Sequence, residues 1–195
     1  MTYASLATGL LLAAGRGTRF DPLGQQNKLL APLADGTPVA RAAAHTLLTV
    51  LPRVIAVVRP GAEALAHLLN EAGCEVVFAI DAERGMGASL AAGVHASADA
   101  DGWVVALADM PWILPATVEA VARKLGAGAP IVAPVYEGRR GHPVGFGAVH
   151  GKALAALDGD TGARALLASP GLTTIAVDDP GVLADIDTPE DLRRR

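Results

Sequence analysis

The stretch LLLAAGRGTRFDPLGQQNKLLAPL, residues 10–33, decides how the chain is read. An apolar run begins at Leu6, breaks at Gly15 and becomes a loop carrying Arg16, Gly17, Arg19 and then Lys28. A buried strand that ends in a glycine-bearing loop presents backbone N–H groups into a crevice, which suits a phosphate chain. Arg16, Arg19 and Lys28 add the point charge and forked donors that a triphosphate needs. A surface turn with solvated basic residues is the alternative for the loop taken alone. Two phosphate motifs fail here. A Walker loop needs Lys-Ser/Thr directly after its last glycine, where Gly17 is followed by Thr18 and Arg19. A dinucleotide fingerprint needs a third glycine where Phe20 stands, and Asp35 falls in the turn Ala34-Asp35-Gly36-Thr37 rather than at a strand end.

Outward from that loop, the composition limits the fold. The chain has 195 residues, enough for one domain with a substantial core, so residues 1–195 are expected to be one unit. Hydrophobic residues make up 51% and aromatics only 4%, which favours helices packed on a parallel sheet over an aromatic-rich sandwich. The formal net charge of −4 argues against nucleic acid or an anionic membrane as partner. A single cysteine, Cys74, excludes an internal disulfide and fits a reducing compartment. It opens an apolar run and reads as a buried structural thiol. The apolar run at the N-terminus lacks a preceding Lys or Arg, and no run approaches a membrane span, so the expectation is a cytoplasmic protein.

Short apolar runs at 6–13, 54–58, 75–80 and 103–108 read as strands buried on both faces. Helical patterns lie between them, at 39–51 with Thr37-Pro38 as cap and first residue, 61–72 ended by Gly73, 87–98, and 115–125. Strand alternating with helix implies right-handed crossovers and a parallel sheet. After Gly126 the rhythm changes. Residues 129–136 and 143–149 form two strands joined by a turn at 137–141, an antiparallel addition to the sheet. Short helices at 152–157 and 162–168, a strand at 172–177, an extended piece at 183–186 and a helix at 189–194 capped by Thr188 complete an α/β chain.

Ligands of open parallel sheets bind beyond the carboxyl ends of the strands. After the third run come Asp81, Arg84 and Gly85-Met86-Gly87-Ala88-Ser89, the last opening a helix whose free N–H groups favour an anion. The fourth ends in Leu107-Ala108-Asp109-Met110-Pro111. Facing arginines across a triphosphate-sized crevice, Asp109 suits Mg²⁺, which takes one or two carboxylates plus phosphate oxygens. Asp185 and Asp187 alternate about Ile186, so both point to one face of an extended segment, and Asp187 is either a second ligand or a helix cap. His142 precedes a proline and is held extended, as a surface residue or as a donor to an anionic acceptor.

With these motifs assembled, the chain resembles the molybdenum cofactor nucleotidyltransferases, and most closely their cytidylyltransferase branch. The matching stretches are LAAGRGTRF, Lys28-Leu29-Leu30, Gly85 to Ser89, LADMP, GRRGHPVGF, GDTGARALL and DIDTPEDL, which together span nearly the whole length. The resemblance implies a three-layer Rossmann-like, GT-A-like nucleotidyltransferase fold, with CTP, Mg²⁺ and molybdenum-loaded molybdopterin as reactants. The product would be the cytosine dinucleotide form of the cofactor plus pyrophosphate, passed to a molybdenum hydroxylase. It implies that Arg16, Arg19 and Lys28 hold phosphates and that Asp109 and Asp187 hold the metal. Leu12, Ala13, Ala14, Gly15, Gly17, Ser89 and Leu107 would meet the nucleotide, and His142, Asp160 and Arg164 the acceptor. Ala14 points to the branch, since guanylyltransferase relatives typically carry a second glycine there, and one methyl discriminates between bases by about 1–3 kcal/mol. Residues 20–27 depart from the family's closer spacing between the second arginine and the lysine. The alternatives are a guanylyltransferase, a transferase acting on a sugar or lipid-precursor phosphate, and a non-catalytic cofactor-handling protein.

Overall fold

A computed structural model describes residues 7–23, 26–160, 162–168 and 171–193. Leu6, Gly24, Gln25, Thr161 and Arg194, which figure in the sequence reading, lie outside the described residues. Strands β1 (Thr8–Leu12), β2 (Val54–Val58), β3 (Glu75–Phe78) and β4 (Gly102–Leu107) are parallel, in the order β3-β2-β1-β4. The antiparallel addition follows. Strand β7 (Val144–Gly147) pairs with β4 and with the start of β5 (Ile131–Tyr136). The two-residue β6 (Arg139–Arg140) folds back on the end of β5, and β8 (Leu172–Ala176) runs parallel to β5 on the sheet's far side. The mixed sheet with a parallel centre agrees with the α/β expectation.

Helices cover both faces. Helices α1 (Val39–Leu48), α2 (Glu63–Glu71) and α4 (Pro115–Gly126) pack on Leu11, Ala56, Val58 and Val104. Helices α3 (Met86–Ala96) and α5 (Gly151–Ala155) pack on Leu10, Ile55, Val57 and Val105. Successive strand residues thus alternate between two buried layers, which is why the runs read as continuously apolar. No helix among the described residues is long and apolar enough to cross a membrane.

The differences from expectation lie at edges and ends. Strand β3 is the sheet's edge, and its Glu75 and Phe78 are exposed rather than buried. Thr37 does not cap α1. Its N–H donates to Asp35 Oδ1 at 2.9 Å within the turn, and Pro38 takes the cap position. The extended piece expected at 183–186 is preceded by a 3₁₀ turn, Pro180–Leu183, and residues 162–168 also form a 3₁₀ helix. The last helix shortens to a 3₁₀ turn at Asp191–Arg193. Its cap is reversed, because the Thr188 hydroxyl donates to Asp191 Oδ2 at 2.9 Å.

Candidate active site

Strands β1 and β4 end in register, Leu12 beside Leu107, and a cleft of about 460 Å³ opens beyond them. That volume suits a nucleotide-sized ligand. Loop 13–19 follows β1, Asp109 follows β4, and the segment 82–89 forms the opposite wall. The loop begins while still tied to the sheet, since Ala13 N–H donates to Val57 O at 2.8 Å. Of the residues singled out from sequence, Leu12, Ala13, Ala14, Gly15, Arg16, Gly17, Arg19, Lys28, Ser89, Leu107, Asp109, Asp160 and Asp187 all line this cleft.

Each cation faces a carboxylate. Lys28 Nζ lies 2.7 Å from Asp109 Oδ2, 2.7 Å from the Ile186 carbonyl and 3.5 Å from Asp187 Oδ1. The side chain of Lys28 is only 10% exposed, so these contacts are far less screened than surface pairs. Arg19 pairs with Asp187 Oδ2, and Arg16 with Glu83 Oε1 at 2.6 Å. The Arg16 pair is exposed on both sides and binds weakly, leaving that guanidinium free to change partner. Glu83 escaped the sequence reading, which stopped at its neighbours Asp81 and Arg84. Only the fold brings it across to residue 16.

The long spacing before Lys28 does not carry the lysine away. Asp21 takes up the extra length, accepting from Leu23 N–H at 2.9 Å and Gln26 N–H at 2.6 Å. Phe20 is buried, and its N–H closes a turn onto Gly17 O. Asn27 Oδ1 accepts from Leu29 N–H, starting the turn that points Lys28 inward.

Asp187 is not the helix cap. Asp191 Oδ2 accepts from Asp187 N–H and Thr188 N–H, so Asp191 performs the capping and the Asp187 carboxylate faces the cleft. Ile186 is fully buried, its N–H on Asp109 O at 2.9 Å, and Asp185 and Asp187 on either side both line the cleft. Among the described residues, Asp109 Oδ1 is buried with no hydrogen-bond partner. An anionic oxygen in that condition is costly unless a cation meets it. No group of three or more His, Cys, Asp or Glu side chains among the described residues could hold a metal by itself. The orphaned Asp109 oxygen and the nearby Asp187 carboxylate are oxygen donors of the kind a hard divalent cation takes one or two of.

The far wall is built on glycine. Gly85 has φ +124°, and a Cβ there would lie 2.4 Å from Asp160 Oδ1 and 2.5 Å from the Gly159 carbonyl carbon. Gly87 N–H donates to Gly159 O at 2.8 Å, so one amide expected to await an anion at the start of α3 is already engaged. This contact, with the Arg84–Asp158 ion pair, holds Asp160 at the cleft. Ser89, within the helix, is buried and lines the cleft.

Two expected acceptor residues do not line the cleft. Arg164 is exposed on the 3₁₀ turn and is absent from the cleft lining. His142 sits behind the cleft near Asp109 and Asp185. Burial holds its imidazole below the ordinary value, opposed by those carboxylates. The His142 backbone N–H donates to Val182 O at 3.0 Å.

Comparison with known proteins shows the family and the fold. The family described as MobA-like NTP transferase domain matches residues 9–175. Nicotine blue oxidoreductase of Paenarthrobacter nicotinovorans is 33% identical over 199 residues, covering 96% of this chain and 95% of that protein. Among solved structures, Rv0371c of Mycobacterium tuberculosis H37Rv superposes with a TM-score of 0.81 at 31% identity, covering 96% of each chain. Its manganese complex gives 0.77 at 30% identity, again covering 96% of each. A nucleotidyl transferase from Methanothermobacter gives 0.80 at 25% identity, covering 96% of this chain and 94% of that one.

Proposed function

The chain belongs to the MobA-like NTP transferase family, and from that premise we propose that it is a cytidylyltransferase. It would transfer CMP from CTP to the terminal phosphate of molybdenum-loaded molybdopterin. An acceptor phosphate oxygen attacks the α-phosphorus of CTP, the α–β anhydride bond breaks, and pyrophosphate leaves. The observation that carries this reading is Asp109, whose buried, unpartnered Oδ1 sits at the strand ends directly against the cationic loop.

A phosphate monoester has its second pKa near about 6, so the acceptor is already ionised at neutral pH and needs no general base. The work of the site is positioning and charge neutralisation. Lys28 and Arg19 would hold the departing pyrophosphate, with Arg16 leaving Glu83 to join them. Backbone amides of 14–17 would meet the phosphates, and Ala14, 9% exposed, would stand beside the base. A divalent cation such as Mg²⁺, held by Asp109 and Asp187, would supply charge neutralisation across the phosphates. Asp160 is the cleft residue available to an acceptor.

Pyrophosphate release is the test, measured with each nucleoside triphosphate, with and without molybdenum-loaded molybdopterin. Release restricted to CTP with that acceptor supports the reading. Release with GTP moves the chain to the guanylyl branch, and release with a sugar phosphate changes the acceptor. A second reading rests on one observation, the end-to-end similarity to nicotine blue oxidoreductase. Conversion of nicotine blue by the purified chain, without pyrophosphate release from any triphosphate, would favour it.

A further inference from the structure

Taking the metal reading of Asp109 and Asp187 as its basis, we infer that Lys28 and a divalent cation are alternative occupants of that carboxylate pair. Metal entry would expel the ammonium toward the phosphates.

The contacts of Lys28 point this way. An ammonium has three donors, and those of Lys28 are directed at Asp109 Oδ2, Ile186 O and Asp187 Oδ1, all protein oxygens. No donor is left over for a phosphate. The lysine sits where a cation is called for, and a dication cannot share two carboxylates with an ammonium at contact distance without strong repulsion. One oxygen remains unspent. Asp109 Oδ1 is buried and has no hydrogen-bond partner among the described residues, so the carboxylate keeps one oxygen that Lys28 does not neutralise and that a dication taking its place could use. Glycine at position 17 leaves the lysine stem free of a side-chain neighbour on that side. An added Cβ there would come within 3.5 Å of Lys28 Cγ and 3.7 Å of its Cδ. Arg19 also pairs with Asp187 Oδ2, but its side chain is largely exposed, so water screens that contact and it yields more readily than the Lys28 pair.

The exchange has a functional consequence. Without metal, Lys28 neutralises carboxylates that would otherwise repel a triphosphate. With metal, the freed ammonium adds its charge to the phosphate site. Metal and nucleotide then favour each other's binding, a reciprocal coupling between two ligands of one cleft.

Lysine footprinting on the wild-type chain tests this. The chain has three lysines, and Lys124 and Lys152 are exposed on α4 and α5, so they serve as internal references. Brief acetylation read by mass spectrometry should leave Lys28 protected in the metal-free protein. Mn²⁺ alone should raise its labelling severalfold while Lys124 and Lys152 stay constant, and Mn²⁺ with CTP should lower it again. Labelling of Lys28 that is unchanged or lowered by Mn²⁺ alone overturns the inference. Lys28→Met supplies a second readout, since it should bind Mn²⁺ more tightly than wild type without nucleotide, by water-proton relaxation. Unchanged or weaker binding in a folded variant counts against the exchange, and should the variant not fold, the footprint decides. The two readings fail separately. Pyrophosphate release with an unresponsive Lys28 removes the exchange and keeps the transferase. A responsive Lys28 without release from any triphosphate does the reverse.

Discussion

Asp109→Asn, taken alone and with Lys28→Met, probes the ionic centre of the cleft. At 2.7 Å and an effective dielectric of about 20, the raw attraction between Lys28 and Asp109 is roughly 6 kcal/mol, before desolvation is subtracted. Breaking a buried pair typically costs about 3–5 kcal/mol. Asp109 keeps 21% of its side chain exposed, and Asp187 remains as a second counter-ion at 3.5 Å, so the lower end applies. We expect Asp109→Asn to lose about 2–3 kcal/mol, which lowers Tm by roughly 5–10 °C for a chain of this size. Lys28→Met should cost a similar amount by leaving Asp109 unpaired. The double variant removes both charges, so its loss should fall short of the sum by about 2 kcal/mol. Urea unfolding followed by circular dichroism gives all three values. Additivity within about 0.5 kcal/mol would show that the two groups act independently and would refute the reasoning.

Further outcomes follow from single contacts. Gly87→Ala places a Cβ 2.8 Å from the Asp158 and Gly159 carbonyl oxygens, so loop 158–160 must retreat from the cleft. Loss of about 1–3 kcal/mol by denaturant titration, with a raised KM for the acceptor, is expected. Burial pushes the Cys74 thiol up to about 11, so the native chain should not react with a thiol reagent at neutral pH. The folded state holds that proton more tightly, so this stabilisation is complete below the ordinary value of 9.0 and is lost as pH rises through about 11; Cys74→Ala should flatten that alkaline slope. For His142 the sign is opposite, because burial disfavours its charged form. Stability should be intact above pH 6.5 and fall as pH drops below it, by up to about 1.4 kcal/mol per unit, and His142→Asn should flatten the acid limb of a pH–stability profile.

What the sequence made legible is what is encoded locally. The loop at the mouth of the cleft is a glycine-bearing break in an apolar run, and Arg16 and Arg19 lie within it. Asp109 was marked by its place one residue beyond a strand, and Asp185 and Asp187 by alternation about an apolar Ile186. Features set by distant contacts were hidden. Glu83 meets Arg16 only because the segment after β3 folds over β1. The inward direction of Lys28 depends on the Asp21 side chain gathering the loop before it. Asp191 takes over the capping for which Asp187 and Thr188 were the visible candidates. Strand β3 reads as apolar as its neighbours, and only the sheet order exposes its outer edge. Arg164 shares a motif with Asp160, yet the wall built on Gly85 and Gly87 brings only the aspartate to the cleft.

We propose that the cationic loop and Asp109 together make a nucleoside triphosphate reactive toward a phosphate acceptor. Single-turnover reaction with CTP labelled at its α-phosphorus tests it most directly, comparing wild type with Asp109→Asn. The label should appear in the acceptor dinucleotide with wild type and slow by about 100-fold or more with the variant. Label that stays in CTP with wild type, or moves equally fast with both proteins, contradicts the account.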